Sequence, residues 1–173
     1  MKSKKLKTLL TKEKIQKRIV ALGKQITADY KGKDLVVVCV LKGAFMFCAD
    51  LIRAIDLPLT VEFFGVQSYG HNTHSSGIVK TTLDVDISLE GKDVLVIEDV
   101  IDTGLTVDYL LKYFSSRNPR SLKLCTLLLK PECIQQNVHI DYCGFEIGKK
   151  FVVGYGLDAA QLYRNLRDLA ILT

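Results

Sequence analysis

Apolar residues recur along this chain in two rhythms, and the rhythms divide it into elements. Between Thr11 and Ile26, Ile15, Ile19, Leu22 and Ile26 follow at spacings of four, three and four, the period of a helix with one buried face. Residues 35–41 (Leu-Val-Val-Val-Cys-Val-Leu) are instead an unbroken apolar, largely β-branched run, the composition of a strand covered on both sides. Lys42-Gly43 ends it, and Ala44, Phe47, Cys48, Leu51, Ile52 and Ile55 form a second helical stripe. Asp56-Leu-Pro58 is a connection to a strand over residues 60–66. Further strands are predicted over 94–97 and 122–129, separated by a helix over 107–114 that Arg117-Asn-Pro119 breaks. Val152-Val-Gly-Tyr-Gly156 opens as a short strand, and Arg164 falls on a segment expected to be helical. Strands alternating with helices predict an α/β fold with a parallel sheet. One domain over residues 1–173 is expected, with no internal repeat or low-complexity segment.

The chemistry gathers where the strand at 94–97 ends. Glu98 and Asp99 follow it directly, and Asp102-Thr-Gly-Leu-Thr106 then leads into the helix. Open α/β sheets bind ligands at the carboxyl ends of their strands. Asp102, Thr103, Gly104, Leu105 and Thr106 can present successive backbone N–H groups and two hydroxyls at a helix N-terminus, where a phosphate dianion is well stabilised. Gly104 permits close backbone approach. Two adjacent carboxylates beside a phosphate repel it unless they face groups that seek anions, and sugar hydroxyls or a bound Mg²⁺ both qualify. The stretch therefore reads as a ribose-phosphate cradle. Asp102, at the lip of the turn, is placed to exchange a proton with whatever bonds to the sugar. Simple capping of the helix by Asp102 or Thr103 needs fewer acids than the segment carries.

Residues 68–77 (Ser-Tyr-Gly-His-Asn-Thr-His-Ser-Ser-Gly) form a polar, glycine-flanked loop, long enough for a mobile flap. His71 and His74 have no third ligand of suitable type nearby, so they read as solvated loop residues rather than a metal site.

The run from Glu98 to Thr106 resembles the phosphoribosyl-pyrophosphate signature of the purine phosphoribosyltransferases. Leu41-Lys42-Gly43, Ser68-Tyr69, Lys130 and Phe151-Val-Val-Gly-Tyr-Gly-Leu-Asp158 resemble further motifs of the hypoxanthine-guanine branch. The likeness extends over about residues 5–171. It implies the type I phosphoribosyltransferase fold: a central, mainly parallel twisted sheet flanked by helices, with a small hood formed by the N- and C-terminal segments. It also implies transfer of 5-phosphoribosyl from its pyrophosphate donor to hypoxanthine or guanine, with Mg²⁺ as cofactor. Asp102 is then general acid or base, and Glu98, Asp99 and the turn 102–106 bind the phosphoribosyl group. Lys42, Gly43, Ser68, Tyr69 and Arg164 bind pyrophosphate. Lys130, Phe151 and Val152 hold the purine, and Glu98, Asp99 and Asp158 are the metal-side carboxylates. Lys130 would read the exocyclic oxygen of a 6-oxopurine, Phe151 would stack on the ring, and the flap would close over the substrates. The chain departs from the family's usual pattern at Ala159, where relatives commonly carry tyrosine.

Composition fits such an enzyme: 173 residues, 48% of them hydrophobic, suffice for one real core. The net charge of +5 is concentrated in lysines at positions 2, 4, 5, 7, 12, 14 and 17 without interleaved aromatics, the pattern of a solvated helical face rather than a nucleic-acid site. A regulatory RNA-binding protein of the same fold is the rival from another class, and a xanthine-preferring transferase the rival among enzymes. Cys39, Cys48, Cys125, Cys133 and Cys143 lack C-x-x-C spacing and read as reduced thiols. Without an apolar stretch of membrane-spanning length, a cytoplasmic protein is expected, assembled as a homodimer or homotetramer, with no membrane or nucleic-acid partner.

Overall fold

The apolar runs become the centre of a six-stranded sheet. In this computed structural model, which describes residues 5–68 and 79–173, the elements follow in the order β1 (Leu6–Leu10), α1 (Lys12–Asp29), β2 (Leu35–Leu41), α2 (Phe45–Ala54), β3 (Leu59–Ser68), β4 (Val79–Leu83), β5 (Asp93–Ile101), α3 (Leu105–Ser115), β6 (Ser121–Leu129), a 3₁₀ turn (Pro131–Cys133), β7 (Tyr142–Glu146), β8 (Val152–Val153) and β9 (Leu169–Leu172). The large sheet runs β4-β3-β2-β5-β6-β7. All its neighbours pair in parallel except β3 and β4, which are antiparallel. β2 and β5 lie in the middle, which is why Val36 to Val40 and Val94 to Ile97 are buried without alternation.

Two cores flank this sheet. On one face α1 and α2 bury Ile15, Ile19, Leu22, Ile26, Phe47 and Leu51 against Leu35, Val37, Leu95 and Ile97. α1 starts at Thr11, whose hydroxyl accepts the Lys14 N–H at 3.5 Å. On the other face α3 buries Val107, Leu110 and Phe114 against Val36, Val38, Phe64, Val94 and Val96. The helical stripes expected from sequence are thus the faces that carry these contacts.

A second, three-stranded sheet runs β1-β9-β8 and is antiparallel throughout. It is the hood, and it joins the two ends of the described chain: Lys5 and Thr173 exchange both backbone hydrogen bonds at 3.0 Å. Two expectations change, and the alternative of simple capping by Asp102 or Thr103 falls away. β5 runs on to Ile101, so Glu98 and Asp99 lie within the strand rather than after it. Arg164 is not on a helix: residues 158–168 fold as turns and bends, with positive φ at Ala160 (50°), Gln161 (67°) and Tyr163 (77°), a region an α-helix does not visit. The cap of α3 is neither Asp102 nor Thr103 but Gly104, at φ 83°. Tyr69 and the rest of the expected flap, with His71 and His74, lie outside the described residues.

Candidate active site

At the carboxyl end of β5 the alternation of core residues gives way to acids. Glu98 is only 9% exposed, and its Oε2 has no hydrogen-bond partner among the described residues. Burial, then the neighbouring charge of Asp99, pushes the Glu98 carboxyl well above the usual range. Burial also raises Asp99, against the opposing pull of the Val100 N–H, which donates to Asp99 Oδ1 at 2.8 Å. Two carboxyls held this way are poised for a partner that brings donors or positive charge. Gly43 lies against the second of them. A Cβ at position 43 would fall 1.6 Å from Asp99 Oδ2, so the Leu41–Gly43 segment, whose Leu41–Lys42 peptide is cis, can rest on this acid only without a side chain at 43.

The turn beyond β5 makes a small cavity of about 90 Å³ lined by Glu98, Val100 to Gly104, Thr106 and Val107. Gly104 caps α3 from the left-handed region and offers no side-chain acceptor, so the first-turn N–H groups of the helix face outward for a ligand. Thr103 Oγ1 accepts the Leu105 N–H at 3.4 Å. A larger cleft of about 360 Å³ adjoins it, with Lys42, Gly43, Asp99, Asp158, Gln161 and Arg164 in its lining. Glu98 and Thr106 line both spaces. Residues expected at the phosphate (Asp102, Thr103, Gly104 and Thr106), at the sugar (Glu98 and Asp99) and at the pyrophosphate (Lys42, Gly43 and Arg164) therefore line adjoining spaces.

On the far side of the cleft, Arg164 closes on Asp158. Its Nη2 is 2.7 Å from Asp158 Oδ1, and its Nη1 donates to the Gly156 carbonyl at 2.7 Å. The Gln161 N–H donates to Asp158 Oδ2 at 2.7 Å, while the Gln161 side chain accepts from Arg164 at 3.2 Å. A Cβ at Gly156 would fall 2.3 Å from the Gly43 carbonyl oxygen, so this turn seats directly on the Leu41–Gly43 segment. Among the described residues, no three His, Cys, Asp or Glu side chains are gathered closely enough to hold a metal by themselves.

Lys130 follows β6 as Asp102 follows β5, and its Nζ reaches Asp102 Oδ2 at 2.7 Å. Phe151 is 57% exposed, so it is not the core residue its position at a strand start would suggest, and its ring is free to meet a ligand. Its carbonyl accepts the Leu172 N–H, and Val152 pairs with Ile171, which fixes this segment to the hood. Ser68 ends β3.

The sequence profile of the phosphoribosyl transferase domain matches residues 5–160. The chain belongs to this family. Among phosphoribosyltransferases it is 51% identical over 170 residues to the hypoxanthine-guanine phosphoribosyltransferase of Mycobacterium bovis, covering 95% of this chain and 84% of that protein. It is 47% identical over 166 residues to the enzyme of the same name from Bacillus subtilis (96% and 92%). The crystal structure of a Staphylococcus aureus hypoxanthine phosphoribosyltransferase superimposes with a TM-score of 0.93 at 45% identity, covering 96% of this chain and 91% of that one. The type I phosphoribosyltransferase fold, with its mainly parallel sheet and terminal hood, is the fold observed. Sequence reasoning missed Gln161 at this candidate site and, though it included Gly156 in the motif at residues 151–158, gave that glycine no role. A single polar residue and a single glycine in an irregular segment carry no periodic signal, and their roles arise only from the way residues 154–164 fold back on Gly43.

Proposed function

We propose that the protein is a hypoxanthine-guanine phosphoribosyltransferase of purine salvage. The observation that carries this reading is the wall of Glu98 and Thr106 shared by a phosphate-sized cavity and a larger polar cleft. A ribose whose 5-phosphate occupies the first and whose pyrophosphate occupies the second must cross that wall, where two carboxyls meet its hydroxyls.

In this reading the backbone N–H groups of Thr103 to Thr106, with the two hydroxyls, hold the 5-phosphate of the donor. Lys42, the backbone at Gly43 and Arg164 take the pyrophosphate, with Ser68 and Tyr69 contributing as the family resemblance implies. Glu98 and Asp99 accept hydrogen bonds from the ribose hydroxyls and stabilise positive charge developing at the anomeric carbon. The purine lies on Phe151 with its edge at the Val152 backbone, and Lys130 donates to its exocyclic oxygen. Adenine presents an amino donor there, which offers the ammonium no acceptor to replace Asp102. As the sugar–pyrophosphate bond breaks and the sugar–nitrogen bond forms, Asp102 adjusts the proton on the other imidazole nitrogen of the base.

Mg²⁺ suits the donor set: the orphaned Glu98 Oε2 and the raised carboxyl of Asp99 are groups that a nearby cation would satisfy. Glu98, Asp99 and Asp158 are the residues that would hold it, together with substrate oxygens, as Mg²⁺ usually binds through one or two carboxylates plus phosphates. When bound, it neutralises the leaving pyrophosphate.

A homodimer or homotetramer is part of the reading, supported by Phe63 and Leu83, exposed on the β3–β4 ribbon. A cytoplasmic setting accords with five free cysteines, and no helix among the described residues is long and apolar enough to cross a membrane.

The test is to incubate purified protein with phosphoribosyl pyrophosphate, Mg²⁺ and, separately, hypoxanthine, guanine, xanthine, adenine and uracil, measuring pyrophosphate release. Release with hypoxanthine and guanine, and not with adenine or uracil, is expected. Preferential release with xanthine would reassign the base. Release with none would remove the enzyme reading and leave the RNA-binding regulator, to be examined by a salt-dependent gel shift.

A further inference from the structure

The pairing of Lys130 with Asp102 is built by the sheet. In the β5–β6 ladder Ile101 stands opposite Leu129, so the residues that follow leave neighbouring strand ends side by side. The Lys130 N–H donates to the Ile101 carbonyl at 3.0 Å. Beyond it, the 3₁₀ turn returns the Cys133 N–H to the Lys130 carbonyl at 3.0 Å, and the Gln135 N–H reaches the Thr103 carbonyl at 2.9 Å. Backbone bonds thus bracket the ion pair on both strand ends, and it forms without a ligand. The Lys130 side chain is 12% exposed and the Asp102 side chain 49%. The cation is fixed in place, whereas the acid is open to solvent.

On the function proposed above, these two residues have separate tasks once a purine is bound, yet in the free protein the Lys130 ammonium rests on Asp102 Oδ2. We infer that Lys130 also determines specificity against water: until a 6-oxopurine arrives, its ammonium occupies the Asp102 carboxylate and keeps it from activating a water molecule against bound donor. An ammonium carries three donors and no acceptor, so the exocyclic oxygen of the incoming base gives it an alternative partner. Asp102 is then released for the proton of the base. The correct acceptor therefore frees the group that serves it.

The reaction held back is donor hydrolysis. The bond from the anomeric carbon to pyrophosphate breaks with its electron pair on the pyrophosphate oxygen, and a water oxygen bonds to that carbon. The surplus water proton passes to Asp102 and then to solvent, leaving ribose 5-phosphate and pyrophosphate.

Pyrophosphate release from donor and Mg²⁺ without any base would be measured for the wild type, Lys130→Ala, Lys130→Met and the double variant Lys130→Ala/Asp102→Asn. Lys130→Met retains most of the side-chain stem should Lys130→Ala fail to fold. The single variants are expected to hydrolyse donor on the order of tenfold faster than the wild type, within what a freed general base supplies. The double variant should return to the wild-type rate. Hydrolysis no faster than wild type in a single variant that still binds donor would overturn the inference, as would equally fast hydrolysis in the double variant. A parallel wild-type reaction with hypoxanthine separates the two proposals: failure to release pyrophosphate there would defeat the proposed function, whereas normal release with unchanged hydrolysis defeats only the guarding role.

Discussion

Asp102 leaves the strand end half-exposed, with an ammonium on one of its oxygens and the phosphate-sized cavity beneath it. It does not cap α3, since Gly104 takes that position, so capping does not account for its placement. Asp102→Asn keeps the size of the side chain and removes the proton-accepting charge. Turnover is expected to fall by roughly 10²- to 10⁴-fold, with the dissociation constant for the donor changed little. Steady-state kinetics beside donor titration checks this, and an undiminished turnover would take Asp102 out of the chemistry. The identity of such acids was legible because Glu98, Asp99 and Asp102 crowd the end of an apolar run. Their electrostatics were not. Glu98 keeps an oxygen buried and unpartnered among the described residues, and Asp99 is pressed by Gly43, which lies far from it in sequence.

At the scale of elements, the phosphate turn and α3 work together because Gly104 bends the chain into the helix at φ 83°. Gly104→Ala tests that bend separately from crowding: the added Cβ would find its nearest neighbours, Gln136 and Val138, at 3.5 Å, an ordinary contact. The cost is conformational, about 1–2 kcal/mol for an L-residue held in the left-handed region, or roughly 2–8 °C in melting temperature for a domain of this size. Differential scanning calorimetry would measure it, and phosphate affinity should drop as the first N–H groups of α3 shift. An unchanged melting temperature would mean that the turn relaxes freely. Periodicity found α1, α2 and α3 and the central strands β2, β3, β5 and β6, where one chain segment holds the whole pattern. It did not find β1, β4, β7 or β9. Leu6–Leu10 sits among lysines and Leu169–Leu172 is four residues long, so β1 is a strand through its pairing with β9 across almost the full described chain, and β9 through pairing with both β1 and β8. The helix expected around Arg164 fails for a related reason, because the backbone there is committed to closing on Gly43 and Asp158.

For the whole molecule, two small groups of carboxyls act on stability in opposite directions as pH changes. Asp93 is held below its ordinary value, first by hydrogen bonding from Arg120. Asp84 and Asp50 are also held low, with hydrogen bonds from Tyr113 and Tyr155 respectively outweighing their burial together with their other partners. These three stabilise the fold above the ordinary carboxylate range and cease to do so as pH falls through their folded values. Glu98 and Asp99 are raised, so between their unfolded and folded values the native state binds more protons than the unfolded chain. Stability in that window falls as pH rises, by about 1.4 kcal/mol per pH unit for each fully responding group. The ligand-free protein should therefore be most stable on the acidic side of neutrality. Glu98→Gln should flatten the alkaline-side decline and raise the melting temperature at pH 8 while impairing phosphoribosyl transfer. Thermal unfolding across a pH series decides it: an equally steep decline in the variant would show that Glu98 is not its source.

The hood has a consequence for the order in which the site is completed along the chain. Val152, beside the exposed Phe151, is paired with Ile171, and β9 in turn is paired with β1. The cradle at residues 98–106 belongs to the large sheet, and its turn is held by the bond from Gln135 to Thr103 just after β6, so every segment it needs lies before β7. The wall proposed for the base has to wait for Leu169–Leu172, whose partner strand Leu6–Leu10 lies almost the whole described chain away. The segments proposed for the sugar phosphate are thus complete in sequence well before those proposed for the purine.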